Sequence, residues 1–461
     1  MARWSLHHGD CLEWLRTLPS ASVDAVVTDP PAGIAFMGKA WDHHRGGRAE
    51  WVAWLADVMR ECLRVLKPGG HALVWSLPRT EHWTACAVED AGFEIRDGVY
   101  HLFAQGWPKS LDVSKAIDAA EGAEREKTRT AYTGNACMRS GGQNTRPWME
   151  AALERGYHEH AGKDPVTEDA KRWSGWGTAL KPAVEKWVLA RKPLNGTVAE
   201  NVLAHGVGAL NVDGCRVEQV GKRQTQFVSA RARVNGSFAT GYINDRSAGE
   251  TTLGRWPSNA VLSHAETCGD ECDEACPVRG LDEQSGVLKS GDASTVRRSD
   301  GQDHAHGRKY KQEQSYRGPD EGGASRFFPV FHPFGYFGKA KSASQRGGKE
   351  NAHPTVKNVD LMRWLVRLIT PRGGVVLDAF GGSGTTGVAA LLEGCSFVAA
   401  EADSESHAFA RKRLAAAERG ETIVRSETTE PQTDEAQQAL GTTADGVPGP
   451  ATAAALGVPW L

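Results

Sequence analysis

Between residues 5 and 100 the chain alternates short apolar runs with apolar residues at helical spacing. Val23-Asp24-Ala25-Val26-Val27 reads as a strand ending at Thr28-Asp29. Trp51, Leu55, Val58, Met59, Cys62, Leu63 and Leu66 recur at the interval of one helix face, and Lys67-Pro68-Gly69-Gly70 is expected to stop that helix. His71-Ala72-Leu73-Val74-Trp75 is the next strand, a helix runs to Ala91-Gly92, and Phe93 to Val99 is a further strand. Strands alternating with helices predict a mostly parallel, doubly wound α/β sheet.

The pattern then breaks. From about Gly106 to Phe331, Gly, Arg, Ser and His are dense and apolar periodicity is weak. An insertion this rich in loops is usually functional or disordered rather than core. Regular spacing returns after Asn351. Val359, Leu361, Met362, Leu365, Val366, Leu368 and Ile369 form one helix face. The strand Val375-Val376-Leu377-Asp378 follows, then a helix to about Leu392, the strand Ser396 to Ala400 ending at Glu401, and a helix from Ser404 to Glu418. One sheet is therefore written in two halves: residues 1–114, then 341–420 after an insertion at 115–340. The acidic tail 421–461 has few large apolar residues and is expected to be disordered.

At 461 residues the chain can bury a sizeable core. Its net charge of −3 gives no global nucleic-acid signature, so DNA contact would need a local basic surface. The basic runs 221–254 and 289–326 could provide one, although a solvated loop face is the bland reading of either. Nine scattered cysteines, no secretory signal and no apolar stretch long enough for a bilayer predict a soluble, cytoplasmic protein with reduced thiols and no membrane.

Two motifs carry chemistry. In Asp378-Ala379-Phe380-Gly381-Gly382-Ser383-Gly384-Thr385-Thr386, a strand ends in an acid and passes through a glycine turn into a helix. That arrangement brings backbone N–H groups against a nucleotide-like ligand. Phe380 can pack against such a ligand, and Glu401, at the next strand end, can hold two ribose hydroxyls. A tight structural turn is the bland reading. The second motif, Thr28-Asp29-Pro30-Pro31, lies at the end of a strand, where open α/β sheets place their sites. An exocyclic base amine is a poor nucleophile because its lone pair is delocalised into the ring. A carboxylate from Asp29 and a carbonyl from Pro30, accepting the two amine hydrogens, would localise that lone pair. Consecutive prolines fix the turn.

With these motifs in this order, the chain resembles the β-group, circularly permuted DNA amino-methyltransferases of the phage and bacterial N6-adenine type. Gly9-Asp10, Phe36-Met37-Gly38-Lys39, Trp41-Asp42, Gly92-Phe93-Glu94, Pro108-Lys109-Ser110-Leu111-Asp112, Gly177-Thr178-Ala179-Leu180-Lys181-Pro182, Asn211-Val212-Asp213-Gly214 and His353-Pro354-Thr355-Val356-Lys357 add to the likeness. It covers most of residues 5–415. The resemblance implies a Rossmann-like seven-stranded sheet, S-adenosyl-L-methionine as cofactor, and double-stranded DNA as partner. The insertion would read the target, and the target base would be flipped out of the duplex. It places Asp10 at the cofactor's adenine and Thr355 with Lys357 at its methionine end. Phe380, Gly382, Ser383, Gly384, Thr385, Asp378 and Glu401 would complete the cofactor site. Asp-Pro-Pro leans towards N6-adenine, whereas N4-cytosine enzymes more often begin the motif with Ser. No cysteine follows a proline, which sets C5-cytosine chemistry aside. No nuclease motif is evident, and a monomer and a dimer remain equally open. A role in modification or host-defence evasion rests on family analogy alone.

The sequence departs from this family at Ala32, where an aromatic, normally Tyr, stacks on the flipped base. Such stacking is worth about 1–3 kcal/mol per base. Ala32 is read as an inactivating replacement, as the mark of a non-catalytic cofactor- and DNA-binding protein, or as a change covered by Phe36 or Trp41. RNA or protein amines are a further substrate class. Asn358 and Ala379 replace family prolines at positions that should tolerate them.

His264, Cys268, Cys272 and Cys276 form a separate constellation suited to structural zinc. On one straight helix they would span about 18 Å and could not converge on an ion. Gly269 and Pro277 favour a loop. Scattered thiols are the alternative.

Overall fold

The computed structural model describes residues 3–34, 42, 45–103, 110–131, 147–217, 223–226, 248–251, 254–265, 268–269, 271–274, 276–290, 295–296, 314–315, 320–331 and 356–421. The tail expected to be disordered lies outside them from residue 422, as do Thr355, Phe36 and Trp41.

Nine strands form the main sheet: β1 (Trp4–His8), β2 (Val23–Thr28), β3 (Leu66–Ser76), β4 (Glu94–Leu102), β5 (Val184–Arg191), β6 (Ala260–Ser263), β7 (Val330–Phe331), β8 (Val375–Asp378) and β9 (Ser396–Glu401). Their spatial order is β1-β9-β8-β2-β3-β5-β4-β6-β7. Every neighbouring pair is parallel except those made by β5, which runs antiparallel to β3 and β4. This is a Rossmann-like sheet, and the C-terminal strand β8 lies beside the N-terminal strand β2 at its centre.

Helices cover both faces. On one side α1 (Cys11–Thr17), α2 (Arg48–Val65) and α3 (Glu81–Asp90) bury Trp14, Leu15, Leu55, Met59 and Val88 against Val26, Ala72 and Val74. On the other, α4 (Val359–Ile369), α5 (Thr385–Leu392) and α6 (Ser404–Glu418) pack Leu365, Val388 and Leu414 against Val27, Leu73 and Phe397. Every residue of β2 is buried, as expected for a central parallel strand with helices on both faces. Asn358 caps α4, its side-chain oxygen accepting the N–H groups of Asp360 (2.8 Å) and Leu361 (3.1 Å). A proline at 358 could not make those bonds, so the departure from the family pattern has a local use.

Three sequence expectations change. The sheet has nine strands rather than seven, because β6 and β7 extend its β4 edge. At four and two residues they are too short to show a period. Strand β5 comes from within the expected insertion yet sits inside the sheet, so the interval 115–340 contributes core as well as loops. Finally, α2 ends at Val65, one residue before the last of its expected face, Leu66, and Lys67-Pro68-Gly69-Gly70 is not a connecting loop. It is taken into β3 as an irregular start, with a register shift opposite Val23 and Ala25 and Gly69 at φ +75°. Among the described residues no helix is long and apolar enough to cross a membrane.

Candidate active site

Strands β2, β8 and β9 end side by side, and their carboxyl ends open onto one cavity of about 260 Å³. Its lining joins residues far apart in sequence: Asp10, Asp29, Pro30, Pro31 and Ala32 from the first half, and Lys357, Phe380, Gly382 and Glu401 from the second.

Asp378, last residue of β8, organises the floor. Its Oδ1 accepts the Thr28 hydroxyl at 2.7 Å and the Phe380 N–H at 3.0 Å, and its Oδ2 accepts the Thr386 hydroxyl at 2.6 Å. Burial pushes this carboxyl up to about 7. Asp378 thus ties the ends of β2 and β8 to the start of α5 with both oxygens engaged. Its place in the site is to shape the glycine turn.

The turn is built for close approach. Gly382 and Gly384 adopt φ +50° and +80°, a region costly for residues with a Cβ. Beneath it the buried Arg413 donates through Nη1 to the Ser383 carbonyl (2.8 Å), the Ser383 hydroxyl (3.2 Å) and the Thr385 hydroxyl (2.9 Å). Burial lowers the Arg413 guanidinium to about 10. Glu401, last residue of β9, accepts the Gly382 N–H on Oε2 at 2.6 Å and the Asp403 N–H on Oε1 at 2.8 Å. Burial raises its carboxyl and those two N–H groups pull it partly back. Across the cavity, Oδ1 of Asp10 caps α1 by accepting the N–H groups of Leu12 and Glu13.

The upper wall is aromatic. Phe380 lies 5.7 Å from Trp54 between ring centroids, and the Arg45 guanidinium sits 3.8 Å above the Trp54 ring. Neither Trp54 nor Arg45 was expected here. Trp54 reads in sequence as one more aromatic on α2, and only the tertiary turn of that helix aims it at Phe380.

Asp29 is held by Lys357, whose ammonium donates to Oδ2 at 2.7 Å. Lys357 is nearly buried, with its ammonium 4.2 Å from the Trp75 ring centre, while Asp29 keeps 23% exposure towards the cavity. Burial raises the Asp29 carboxyl and the Lys357 charge opposes that rise. Behind the pair lies fully buried Glu185 on β5, 3.9 Å from Nδ1 of His101, whose Nε2 is 2.7 Å from the Ser263 hydroxyl. Burial pushes Glu185 up, but Lys357 and then His101 and Trp75 outweigh it and hold its carboxyl below the usual value. Glu185 has no motif around it that would mark it in the sequence.

Ala32 follows the proline turn, lines the cavity, and accepts the Thr80 hydroxyl on its carbonyl at 3.3 Å. Asp42 fixes the next residues, accepting the N–H groups of Gly33 (2.7 Å) and Ile34 (3.3 Å). The expected role of Thr355, and of Phe36 or Trp41 as substitute stacking groups, falls outside the described residues. His264, Cys268, Cys272 and Cys276 come together beyond the end of β6, and none of them lines this cavity.

An acidic proline turn and a glycine loop facing each other across the strand ends are the two halves of one site in a Rossmann-like α/β fold. Residues 23–117 and 294–412 match the family described as DNA methylase. It is 32% identical over 77 residues to the type II methyltransferase M.BamHI of Bacillus amyloliquefaciens, covering 16% of this chain and 18% of that protein. It is 42% identical over 67 residues to the DNA adenine methyltransferase YhdJ of Escherichia coli strain K12, covering 14% and 21%. The matched stretches thus span about a fifth of these relatives' length. Among solved structures, the PvuII DNA methyltransferase (cytosine-N4-specific) aligns over 95% of this chain and 92% of its own, at 13% identity and a TM-score of 0.39.

Proposed function

We propose that this protein transfers a methyl group from S-adenosyl-L-methionine to the exocyclic N6 amine of adenine in double-stranded DNA. The observation that carries the reading is the convergence of Asp29-Pro30-Pro31 and the Phe380–Gly384 loop on one cavity. The residues present suit that cofactor. A turn with two glycines at positive φ lets backbone approach closely, Glu401 offers carboxylate oxygens at the end of β9, and Phe380 with Trp54 offers aromatic surface. When bound, the cofactor would supply an electrophilic methyl on a sulfonium.

The chain's own groups supply the rest. Lys357 occupies Oδ2 of Asp29, orients the carboxylate and opposes its protonation, which leaves Oδ1 to accept one amine hydrogen. The Pro30 carbonyl accepts the other, and the amine lone pair is then free for attack. The interval 115–340, apart from the strands it lends to the sheet, carries target recognition: its Arg and Lys bind phosphates and its loops read base edges. Ala32 supports a second reading, in which cofactor and DNA are bound without turnover, because the expected stacking ring is absent at that position.

The test is incubation of the full chain with S-adenosyl-L-methionine and unmethylated duplex DNA, followed by nucleoside mass spectrometry. N6-methyladenine is expected. N4-methylcytosine would move the assignment to the other amino-methyltransferase class, and methylation of RNA alone would overturn the DNA reading.

A further inference from the structure

We infer that His264, Cys268, Cys272 and Cys276 bind one structural zinc ion. This site stands independently of the proposed methyl transfer. The four ligand atoms all lie within 4.8 Å of one another, with Nδ1 of His264 3.3 Å from Cys272 Sγ and 3.5 Å from Cys276 Sγ. A tetrahedral ion with bonds of about 2.0–2.3 Å needs ligand edges of roughly 3.5–3.8 Å, so this cluster encloses one ion of that size with small adjustments. One imidazole and three thiols form a soft donor set that selects zinc over magnesium or calcium.

The backbone presents these side chains without the straight helix that would have kept them apart. His264 follows β6, and its N–H donates to the Phe331 carbonyl at 3.1 Å, so the edge of the sheet fixes the first ligand. Cys268 sits in a turn, its N–H donating to Ala265 at 3.0 Å, and its sulfur accepts the Asp273 N–H at 3.4 Å. Cys276 is the residue before the helix Pro277–Ser285, which Pro277 opens. Arg279 on that helix donates to the Cys272 carbonyl at 3.1 Å. All three thiols are free, and an odd number cannot be satisfied by disulfides among themselves.

Packing also calls for an ion. Among the described residues the local apolar cluster holds Leu262, Ala265, Cys268, Cys276 and Val278, with Cys272, Leu281 and Phe328 against it. So small a core cannot order a loop of this length, and small modules of that kind are commonly completed by metal. With four protein ligands no position remains for water, so the ion is structural. It would pin the helix Pro277–Ser285, whose Asp282 accepts the Ser325 N–H and hydroxyl, both at 2.7 Å. Through these bonds it would hold the β6 and β7 edge of the sheet.

The test uses the full chain purified from zinc-replete medium, with metal measured by mass spectrometry. About one zinc per chain is expected, falling below about a tenth in Cys268→Ser and in Cys276→Ser but unchanged in Cys86→Ser. Cobalt exchanged into the wild-type chain should show the absorption of a tetrahedral thiolate site, a readout that needs no variant to fold. Metal-free wild-type chain, zinc retained in both ligand variants, cobalt without thiolate bands, or a disulfide between any two of the three cysteines would each overturn the assignment.

Discussion

Replacing Lys357 by Met removes the cation from the Asp29 pair while keeping a stem of similar length against Trp75. Breaking a buried ion pair by deleting one partner costs about 3–5 kcal/mol, because the remaining charge is stranded. Asp29 keeps 23% exposure, which relieves some of that, so the lower end, about 3 kcal/mol, is expected. The sign of the pH dependence follows from the direction of the shift. Burial already raises the Asp29 carboxyl and Lys357 opposes it, so the variant's folded carboxyl rises further. A group with a raised folded value destabilises the fold when it is charged, and that penalty fades as pH falls through the raised value. Urea unfolding of Lys357→Met should therefore show a loss of about 3 kcal/mol at neutral pH that shrinks as the pH is lowered into the acid range. Equal losses at neutral and acid pH, or a loss below about 1 kcal/mol, would refute the role given to this pair.

Other substitutions separate the parts of the site. Ala32→Tyr restores a stacking ring, and at about 1–3 kcal/mol per base it should raise kcat/KM on duplex DNA by about 5- to 150-fold in a filter-binding methylation assay. Glu401→Ala frees the Gly382 and Asp403 N–H groups and removes the proposed ribose contact, so calorimetry should show cofactor binding weakened by about ten- to a hundredfold. Gly384→Ala forces a Cβ into φ +80° and to 3.0 Å from Ala410 Cβ, and should lower the Tm and weaken cofactor binding together. Its backbone strain alone is about 1–2 kcal/mol.

The parts of this protein legible in its sequence are those written locally. The acid and glycines of 378–384, the acid ending β9 and the Asp29 proline turn each sit within a dozen residues of the strand that positions them. The His–Cys spacing survived because it belongs to a loop, and loop ligands can be recognised without knowing the fold around them. Lys357 and Asp29 are 328 residues apart, and nothing in either segment announces the salt bridge. Glu185 stayed hidden because β5 lies within loop-rich sequence, and its meaning depends on Lys357 arriving from the segment before α4 and His101 from β4. Strand β6 takes its register from β4 and β7 from β6, not from their own composition.

The central claim is tested most directly by methyl transfer from labelled S-adenosyl-L-methionine to unmethylated duplex DNA, with the native chain, Ala32→Tyr and Asp29→Ala assayed side by side. The account predicts label in DNA with the native chain, more with Ala32→Tyr, and none with Asp29→Ala. It is contradicted if Ala32→Tyr binds the cofactor yet labels no DNA, or if Asp29→Ala labels DNA as well as its parent does.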